Sequence, residues 1–179
     1  MSTLEVNNIT PQSGTSITIG GSGDTVSLGS GATQSGFGGT NTPAFRAGLS
    51  SAQSISNGTY TTIIFNSEQY DTNNAYNTSN GRFTVPSGES GKYFFYGHYR
   101  YQTASSFNSN IEIHKNGSQV AHFGGGTKSN YPSNSISYSA DLSVGDYIEV
   151  KAWQESGGSL DLTGNIAYTS FFGMKLIGA

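Results

Sequence analysis

The sequence predicts an all-β chain in which a jelly-roll β-sandwich, residues 41–179, follows a slender Gly-rich β stem, residues 1–40. Three observations predict this organisation. Apolar and aromatic residues occur in short runs that alternate with polar ones, and Asn-Gly dipeptides typical of hairpin turns separate the runs. Nearly all aromatic residues follow Phe45, which separates the two parts. No segment shows the 3.6-residue period of an amphipathic helix.

The composition excludes several classes of function. Charged residues make up 11% of the chain, against about a quarter in ordinary soluble domains, and the net charge is −3. Without a basic surface, we expect no electrostatic binding to nucleic acid. No apolar run approaches the roughly 18 residues that span a bilayer, so we expect no membrane insertion. The chain has no cysteine, so its stability must come from the core or from assembly.

Residues 1–40 carry short alternating apolar pairs among small residues. Two pairs belong to a nine-residue repeat, in which Ile17-Thr18-Ile19-Gly20 aligns with Val26-Ser27-Leu28-Gly29. A three-residue strand cannot bury its apolar face within one chain, but three copies around an axis can. We therefore expect a trimeric β stem; the alternative is a flexible Gly/Ser linker. The side chains expected at the axis are Ile17, Ile19, Val26 and Leu28.

Eight candidate strands follow Phe45, a number typical of a two-sheet sandwich or jelly roll. Residues 36–43 are the expected joint between stem and head. The candidate strands are Thr61–Phe65, Gly81–Val85, Tyr93–Tyr101, Ile111–Lys115, Ser118–Phe123, Ser135–Leu142, Tyr147–Trp153 and Ala167–Ile177.

The head resembles a C1q-family globular domain. The resemblance rests first on a central motif, for which Phe65, Asp71, Tyr76 and Phe83 fall at the family spacing and residues 91–95 supply the closing segment. Two features depart from the family pattern. The loop of residues 84–90 is two residues longer than usual, and Gly97 stands where the last aromatic residue belongs.

Two C-terminal segments add to the resemblance. Residues 142–146 resemble the family's Leu-x-x-Gly-Asp turn, and residues 171–177 resemble the terminal strand shared with tumour necrosis factor. The resemblance covers residues 44–177 and implies a C1q/TNF-like jelly roll that forms a compact homotrimer. A fold does not by itself assign a function.

The resemblance also implies that the sheet holding the first, central and last strands faces the threefold axis. In the central strand Tyr93 and Phe95 point into the sandwich, so the alternate side chains point outward. A monomer would leave this aromatic outer face in water, unless a loop of the same chain covers it. The interface residues expected in the head are Phe94, Tyr96, His98, Phe171 and Lys175.

Pleat alternation in the last strand gives a second expectation. We expect one set of its side chains, Phe172, Met174 and Leu176, to fit the core. The remaining set, Phe171, Gly173 and Lys175, is then expected to point toward the axis.

The residues predict no enzyme and no metal centre. The chain has no Cys nucleophile, and no G-x-S-x-G, phosphate-loop or H-E-x-x-H motif occurs. A two-residue hairpin at Asn116-Gly117 would set His114 opposite Gln119 and His122 opposite Ile111. These registers send the two histidines to opposite faces, so they cannot share a metal.

Calcium is the one cofactor that the residues leave open. Some C1q-like heads bind Ca²⁺ through loop carboxylates and carbonyls, and Asp71, Asn73 and Asn74 offer such hard oxygen ligands. The same residues are typical of an Asx-rich turn, which is the interpretation we favour.

Three long loops, residues 103–110, 124–134 and 155–162, are rich in small residues, and the first two carry the isolated aromatic side chains Phe107 and Tyr131. Ser, Asn, Gly and Tyr give adaptable hydrogen bonding beside a stacking surface, as in many recognition loops and sugar-binding sites. The alternative is a solvated loop whose aromatic side chain folds back onto the sandwich. The candidate ligand-binding residues are Phe107, Asn108, Tyr131 and Asn134.

These features favour a virion protein of a tailed phage: a trimeric fibre, spike or capsid-surface decoration that contacts a host surface glycan or protein. Residues 1–9 resemble the opening of phage fibres, and no secretory signal is visible. The alternatives are a secreted bacterial adhesin and a purely stabilising capsid decoration with no ligand. The residues expected to attach the chain to other virion proteins are Leu4, Val6 and Ile9.

Overall fold

The computed structural model describes residues 9–25, 27, 30, 41–128 and 130–176. The chain divides into two units, Met1–Gly38 and Gly39–Ala179. Within the described residues every strand lies in the second unit, and the first, described at residues 9–25, 27 and 30, has none. In that same part of the chain no helix is of the length and hydrophobicity that crossing a membrane requires. The expected all-β class is confirmed.

The head is built from short and medium strands separated by turns. In the described residues they are β1 (Ala44–Gly48), β2 (Gln53–Ile55), β3 (Thr61–Thr62), β4 (Ser67–Asp71), β5 (Tyr76–Asn77), β6 (Arg82–Thr84), β7 (Gly91–Arg100), β8 (Phe107–Lys115), β9 (Ser118–Lys128), β10 (Ser133–Leu142), β11 (Tyr147–Gln154), β12 (Leu160–Leu162) and β13 (Ser170–Lys175).

Two antiparallel sheets form the sandwich. The five-stranded sheet has the order β10-β7-β13-β1-β4, and the second sheet has the order β5-β6-β11-β8-β9 with β3 beside β11. Strands β2 and β12 form a separate pair. The jelly-roll sandwich predicted from the sequence is confirmed. The first strand β1, the central strand β7 and the last strand β13 lie in one sheet, with β13 between the other two.

The core between the sheets is strongly aromatic. Phe171 lies at its centre, with its ring centroid 5.0 Å from that of Phe45, 5.7 Å from Phe65 and 5.9 Å from Phe95. All four side chains are fully buried. Burying one such ring contributes about 1.5–3 kcal/mol, so this group is a main source of stability in a domain without disulfides.

Val150 and Phe171 together occupy the space that an aromatic side chain at position 97 would fill. The two residues lie opposite each other in the β13–β7 register. A Cβ on Gly97 would come 3.2 Å from Val150 Cγ2 and 3.7 Å from Phe171 Cδ2. The departure at Gly97 is therefore compensated across the sheet by a ring from the last strand.

This placement corrects the expectation for the last strand. Phe171 is 0% exposed and points into the core, and Gly173 is buried on the same side. Phe172 and Met174 therefore point outward, opposite to the predicted sense. The prediction was wrong because pleat alternation leaves two possible phases, and the cavity over Gly97 decides between them.

Lys175 follows the same correction. It shares the side of Phe171 and Gly173, and its Nζ donates to Glu89 Oε2 at 3.0 Å. Glu89 belongs to the loop after β6. The carbonyl oxygen of Glu89 accepts a hydrogen bond from the buried Tyr93 hydroxyl at 2.6 Å. The ammonium therefore caps the end of the sandwich within one chain, and the expectation that it faces the axis is wrong.

Two turns match their sequence signatures and contact each other. Asn116 and Gly117 have φ of 51° and 80° and join β8 to β9 as a two-residue turn, as predicted. Asp146, in the 142–146 turn, accepts hydrogen bonds from Asn116 Nδ2 at 2.7 Å and Ser143 N at 2.9 Å. The hydrogen-bonded ammonium of Lys115, with these donors, lowers the pKa of Asp146 to about 2.

The packing around Gly173 yields a stability prediction. A Cβ at this position would lie 2.5 Å from Phe95 Cδ1 and 2.6 Å from Phe45 Cε1. We expect Gly173→Ala to lower the free energy of unfolding by about 1–3 kcal/mol, because the rings cannot move apart in a packed core. Urea denaturation at a fixed protein concentration measures the change.

The matched control is Gly158→Ala. No atom lies within 4 Å of a Cβ built there, and φ of Gly158 is not in the left-handed region. Its unfolding midpoint should equal that of the unsubstituted chain. Equal midpoints for the two variants would contradict the packing described.

Candidate functional site

The outer face of the five-stranded sheet carries four large apolar side chains, which we name the aromatic face: Phe94, Tyr96, Phe172 and Met174. Tyr96 lies opposite Phe172, and Phe94 lies opposite Met174, in the β7–β13 register. Tyr96 is 39% exposed and the other three are half-buried. Phe94 and Tyr96 point outward, as pleat alternation predicts.

Small polar residues and one cation border the aromatic face. On one side β10 places a row of serines, Ser135, Ser137 and Ser139, opposite His98, Tyr96 and Phe94. On the other side Arg46 of β1 lies opposite Phe172. The apolar group is therefore central on the sheet, with hydrogen-bonding groups at its border, an arrangement typical of interfaces.

His98 lies beside the aromatic face and is largely uncharged at neutral pH. Burial lowers the pKa of its imidazole; a backbone hydrogen bond with Ala167 opposes this effect, and the positive charge of Arg46 adds to it. The His98 Nδ1 lies 3.3 Å from Ser170 Oγ on the neighbouring strand.

Two of the predicted ligand-binding residues, Phe107 and Asn134, are nearly buried. Phe107 begins β8, is 4% exposed, and packs edge-on against Tyr101 with centroids 5.0 Å apart. Asn134 is 3% exposed and donates through Nδ2 to the Tyr99 hydroxyl and to Ser109 Oγ, both at 2.8 Å. Both residues lie in strands, because β8 and β10 begin inside the segments interpreted as loops. The prediction for Phe107 was wrong, since its ring is part of the core, whereas Asn134 lines the groove described below and its predicted role stays a prediction.

The other two loop residues have different surroundings. Asn108 is half-buried; its Nδ2 donates to Glu155 Oε1, and its Oδ1 accepts a hydrogen bond from Thr127 Oγ1 at 3.3 Å. Tyr131 is 51% exposed, so it alone of the four predicted residues presents a large surface to solvent.

Tyr131 belongs to a group that we name the tyrosine–arginine cluster: Arg100, Tyr131 and Tyr168. The Arg100 Cζ lies 3.4 Å from the ring centroid of Tyr168 and 5.4 Å from that of Tyr131. Arg100 Nε donates to Thr163 Oγ1 at 3.4 Å. Sequence reasoning missed Arg100 and Tyr168, although the outward parity of Arg100 follows from that of Tyr96 and His98.

A groove of 410 Å³ connects the two surface features. Tyr96, His98 and Phe123 line the end that adjoins the aromatic face, and Arg100, Tyr168 and Ser133 line the other end. The groove therefore combines flat aromatic surfaces, hydroxyl groups and one guanidinium.

A third polar group lies on the outer face of the second sheet. Glu112 is 4% exposed; its Oε2 lies 2.7 Å from His114 Nε2 and its Oε1 lies 3.1 Å from His122 Nδ1. Burial raises the pKa of this carboxyl, but hydrogen bonds from His114, His122 and Tyr60 outweigh burial and hold the pKa below its usual value.

This group corrects the predicted hairpin register. His114 lies opposite Gln119 as expected, but His122 lies opposite Glu112 rather than Ile111. A register shift between Ile113 and His114 adds a residue to β9 and returns His122 to the face of Glu112. The prediction that the two histidines lie on opposite faces is therefore wrong.

The candidate calcium ligands belong to an Asx-rich turn. Asp71 Oδ1 accepts a hydrogen bond from Asn73 N at 3.2 Å, and Oδ2 accepts one from Tyr76 N at 2.7 Å. Across the described ranges, no group of three or more His, Cys, Asp or Glu side chains is arranged to hold a metal ion.

The stem and attachment residues are only partly described. Ile9, Ile17 and Ile19 are 55%, 42% and 58% exposed within a single chain. Leu4, Val6, Val26 and Leu28 lie outside the described residues. Their expected positions at a threefold axis and at a virion attachment point remain predictions.

Comparison with known families decides the affiliation of the head. The model of the C1q domain family matches residues 44–174. The chain belongs to the C1q domain family. The resemblance of residues 44–177 stated above is thereby confirmed for the C1q domain, and no curated protein sequence matches the chain.

Solved structures place this C1q domain in the C1q/TNF jelly-roll fold. Murine APRIL at pH 8.0 is 15% identical with a TM-score of 0.55, and the match covers 74% of this chain and 98% of that one. Eiger TNF from S. frugiperda is 14% identical with a TM-score of 0.50, over 76% and 93% of the two chains. At such identities the likeness shows the fold alone.

The buried Glu112 of the C1q domain yields a pH prediction. Its folded pKa is depressed, so its stabilising contribution is present above the ordinary value of 4.5 and is lost as pH falls through the folded pKa. We expect Glu112→Gln to lower the unfolding free energy by about 1–3 kcal/mol at pH 7, because charge-assisted hydrogen bonds are lost. Urea titrations between pH 7 and 3 should show the difference shrinking at the acid end.

Glu68→Gln is the control for this measurement. Glu68 is exposed on β4, so its replacement should leave stability nearly unchanged at every pH. A constant difference between Glu112→Gln and the unsubstituted chain across the pH range would contradict the assigned role.

Proposed function

We propose that the chain is the subunit of a homotrimeric virion protein of a tailed phage, a short fibre, spike or capsid decoration whose C1q domain contacts the host surface. Domains of the C1q/TNF fold commonly form trimers and generally serve as non-enzymatic ligand-binding or structural modules. The main observation that supports a trimer is the half-exposed aromatic face on the five-stranded sheet, which contains β1, β7 and β13.

The aromatic face has the properties of an assembly surface. Its four side chains project from hydrogen-bonded strands, so covering them requires no ordering of the backbone. Completing the burial of a half-exposed ring contributes roughly 1 kcal/mol. The neighbouring Arg46 is compatible with this role, since arginine is enriched at interfaces.

A closed threefold ring needs two different surfaces on each subunit, because the front of one copy contacts the side of the next. The aromatic face is one candidate. The second candidate is the edge strand β9 at Val120, which is 37% exposed; Phe123 of the same strand is 53% exposed but adjoins the aromatic face in one groove. A face and an edge of apolar character support a cyclic trimer over a face-to-face dimer.

The stem supports the same symmetry from an independent part of the chain. Ile17 and Ile19 remain exposed in a single chain, and three copies could cover one another's apolar pairs. Attachment to other virion proteins through Leu4, Val6 and Ile9 is part of the proposal and rests on the resemblance of residues 1–9 to phage-fibre openings.

Three identical heads give the proposed function its mechanism. Weak contacts between each head and a host surface glycan or protein add within a trimer and among many trimers on one particle. A single head then needs only modest affinity, which suits shallow surface grooves such as that of Arg100 and Tyr168.

The trimer is tested by sedimentation equilibrium of the full chain. We expect a mass three times the 18.8 kDa of one chain. Changing Tyr96 and Phe172 to Ser together should release monomers, because the centre of the interface is lost. Val144→Ser, which alters a 50% exposed apolar residue in a turn, should leave the trimer intact. A monomeric unsubstituted chain, or an unchanged trimer in the double variant, would refute the interface.

The virion assignment is tested by location. Antibodies against the C1q domain should label purified phage particles in negative-stain electron microscopy, at either the capsid or the tail. Peptides of this chain should also appear in mass spectra of those particles. Their absence from washed, intact particles would rule out the virion role and leave the trimer unaffected.

A further inference from the structure

Among the described residues, Arg100 of the tyrosine–arginine cluster forms no ion pair with a carboxylate. Four described cations form ion pairs with acidic residues: Arg82, Lys115, Lys151 and Lys175. Within the described ranges no carboxylate forms such a pair with Arg100, whose polar contact is the Nε donation to Thr163 Oγ1. Its remaining N–H groups are suited to an external acceptor.

The two tyrosine rings hold the guanidinium in one orientation. Ring centroids at 3.4 Å for Tyr168 and 5.4 Å for Tyr131 place aromatic groups against the planar cation. Stacked contacts of this kind stabilise a guanidinium while leaving the N–H groups in its plane available. Much of the side-chain entropy that binding would otherwise cost is therefore already lost before a ligand arrives.

The backbone at Tyr131 is constrained to bring its ring to this position. Asn130 and Tyr131 both have left-handed φ, 62° and 64°, a conformation that Asn tolerates but that is uncommon for Tyr. Two backbone hydrogen bonds of 2.9 Å fix the segment, from Tyr131 N to Thr103 O and from Tyr101 N to Pro132 O. Strain held in this way is typical of functional sites.

The adjoining groove determines the kind of molecule that fits. Tyr168 is 42% exposed and Tyr131 is 51% exposed, so each offers an aromatic surface to solvent. Ser133 and Ser135 line the groove beside Arg100. A pyranose ring has an apolar C–H face for an aromatic ring and hydroxyl groups for serine side chains, and it fits an open groove of 410 Å³.

The charges around Arg100 favour a carboxylate over a phosphate polymer. One guanidinium matches one carboxylate through two parallel hydrogen bonds. The nearby His98 adds no charge at neutral pH, because burial lowers its pKa. The net charge of −3 disfavours nucleic acid, whose binding depends on several cations together.

The cluster lies at one end of the five-stranded sheet. Ala44, the first residue of β1, is level with Met174 and Phe94 in the five-stranded sheet. Arg100 lies six residues further along β7, which at about 3.3 Å per residue is roughly 20 Å away. The cluster therefore lies at the opposite end of the sheet from Ala44.

We propose that the tyrosine–arginine cluster binds an acidic saccharide, with the sugar carboxylate on the Arg100 guanidinium and the sugar ring against Tyr168 or Tyr131. This inference rests on the proposed function only in taking a host glycan as the surface partner. The end of the groove at Tyr96 and Phe123 is left to the assembly surface.

The test applies the fluorescently labelled full chain to a glycan array that contains uronic-acid and sialic-acid glycans. Each acidic glycan is paired with its methyl ester or its neutral counterpart. We expect at least one acidic glycan to bind about tenfold more strongly than its neutral partner. Inorganic polyphosphate should not compete at equal charge concentration.

Three variants assign the binding to the cluster. Arg100→Gln should abolish the preference for acidic glycans, and Arg100→Lys should weaken binding about tenfold because the planar fork is lost. Tyr168→Ala should weaken acidic and neutral forms alike. Lys92→Gln is the matched control, since it removes one exposed positive charge from the other end of the same strand and should change binding less than twofold.

The outcomes separate this site from the trimer. Sedimentation of each variant on the same day verifies folding and assembly. A trimer that binds no glycan, binds acidic and neutral partners equally, or loses binding equally in Lys92→Gln overturns the saccharide site and leaves the proposed assembly standing. A monomer that still prefers acidic glycans through Arg100 overturns the assembly and leaves the site standing.

Discussion

The packing of Phe171 over Gly97 is the interaction on which the rest of the head depends. It closes the centre of the core, where four phenylalanine rings meet, and it fixes the phase of the last strand. Because Phe171 points inward, Phe172 and Met174 point outward beside Phe94 and Tyr96. The same contact that completes the core therefore composes the aromatic face on the other side of the sheet.

Much of the fold was predictable from the sequence because its signals are local. The Asn116-Gly117 turn, the alternation of Tyr93 and Phe95, and the motif spacing of Phe65 to Phe83 each depend on neighbouring residues. The phase of the last strand was not predictable in this way. It depends on a cavity created by Gly97, about 75 residues earlier in the chain, and only the β13–β7 register brings the two positions together.

The surface sites show the same division. The outward direction of Phe94, Tyr96 and His98 follows from pleating alone, whereas Arg100 and Tyr168 meet only after the loop before β13 folds back toward β7. Phe107 and Asn134 lie in strands rather than loops, because small polar residues such as Ser and Asn extend β8 and β10 into segments that look like loops. A single register shift in β9 reversed the predicted side of His122 and created the group around Glu112.

The outer face of the second sheet behaves differently from the aromatic face, because its charges are bonded to one another. Glu149 receives Arg82 and Lys151 at 2.9 Å and 3.3 Å, and Glu112 receives two histidines. Compensated charges produce a weak field beyond the Debye length of about 8–10 Å at physiological salt. Because Glu112 and Glu149 are nearly buried and already bonded within one chain, this face offers a second copy few carboxylate oxygens to pair with.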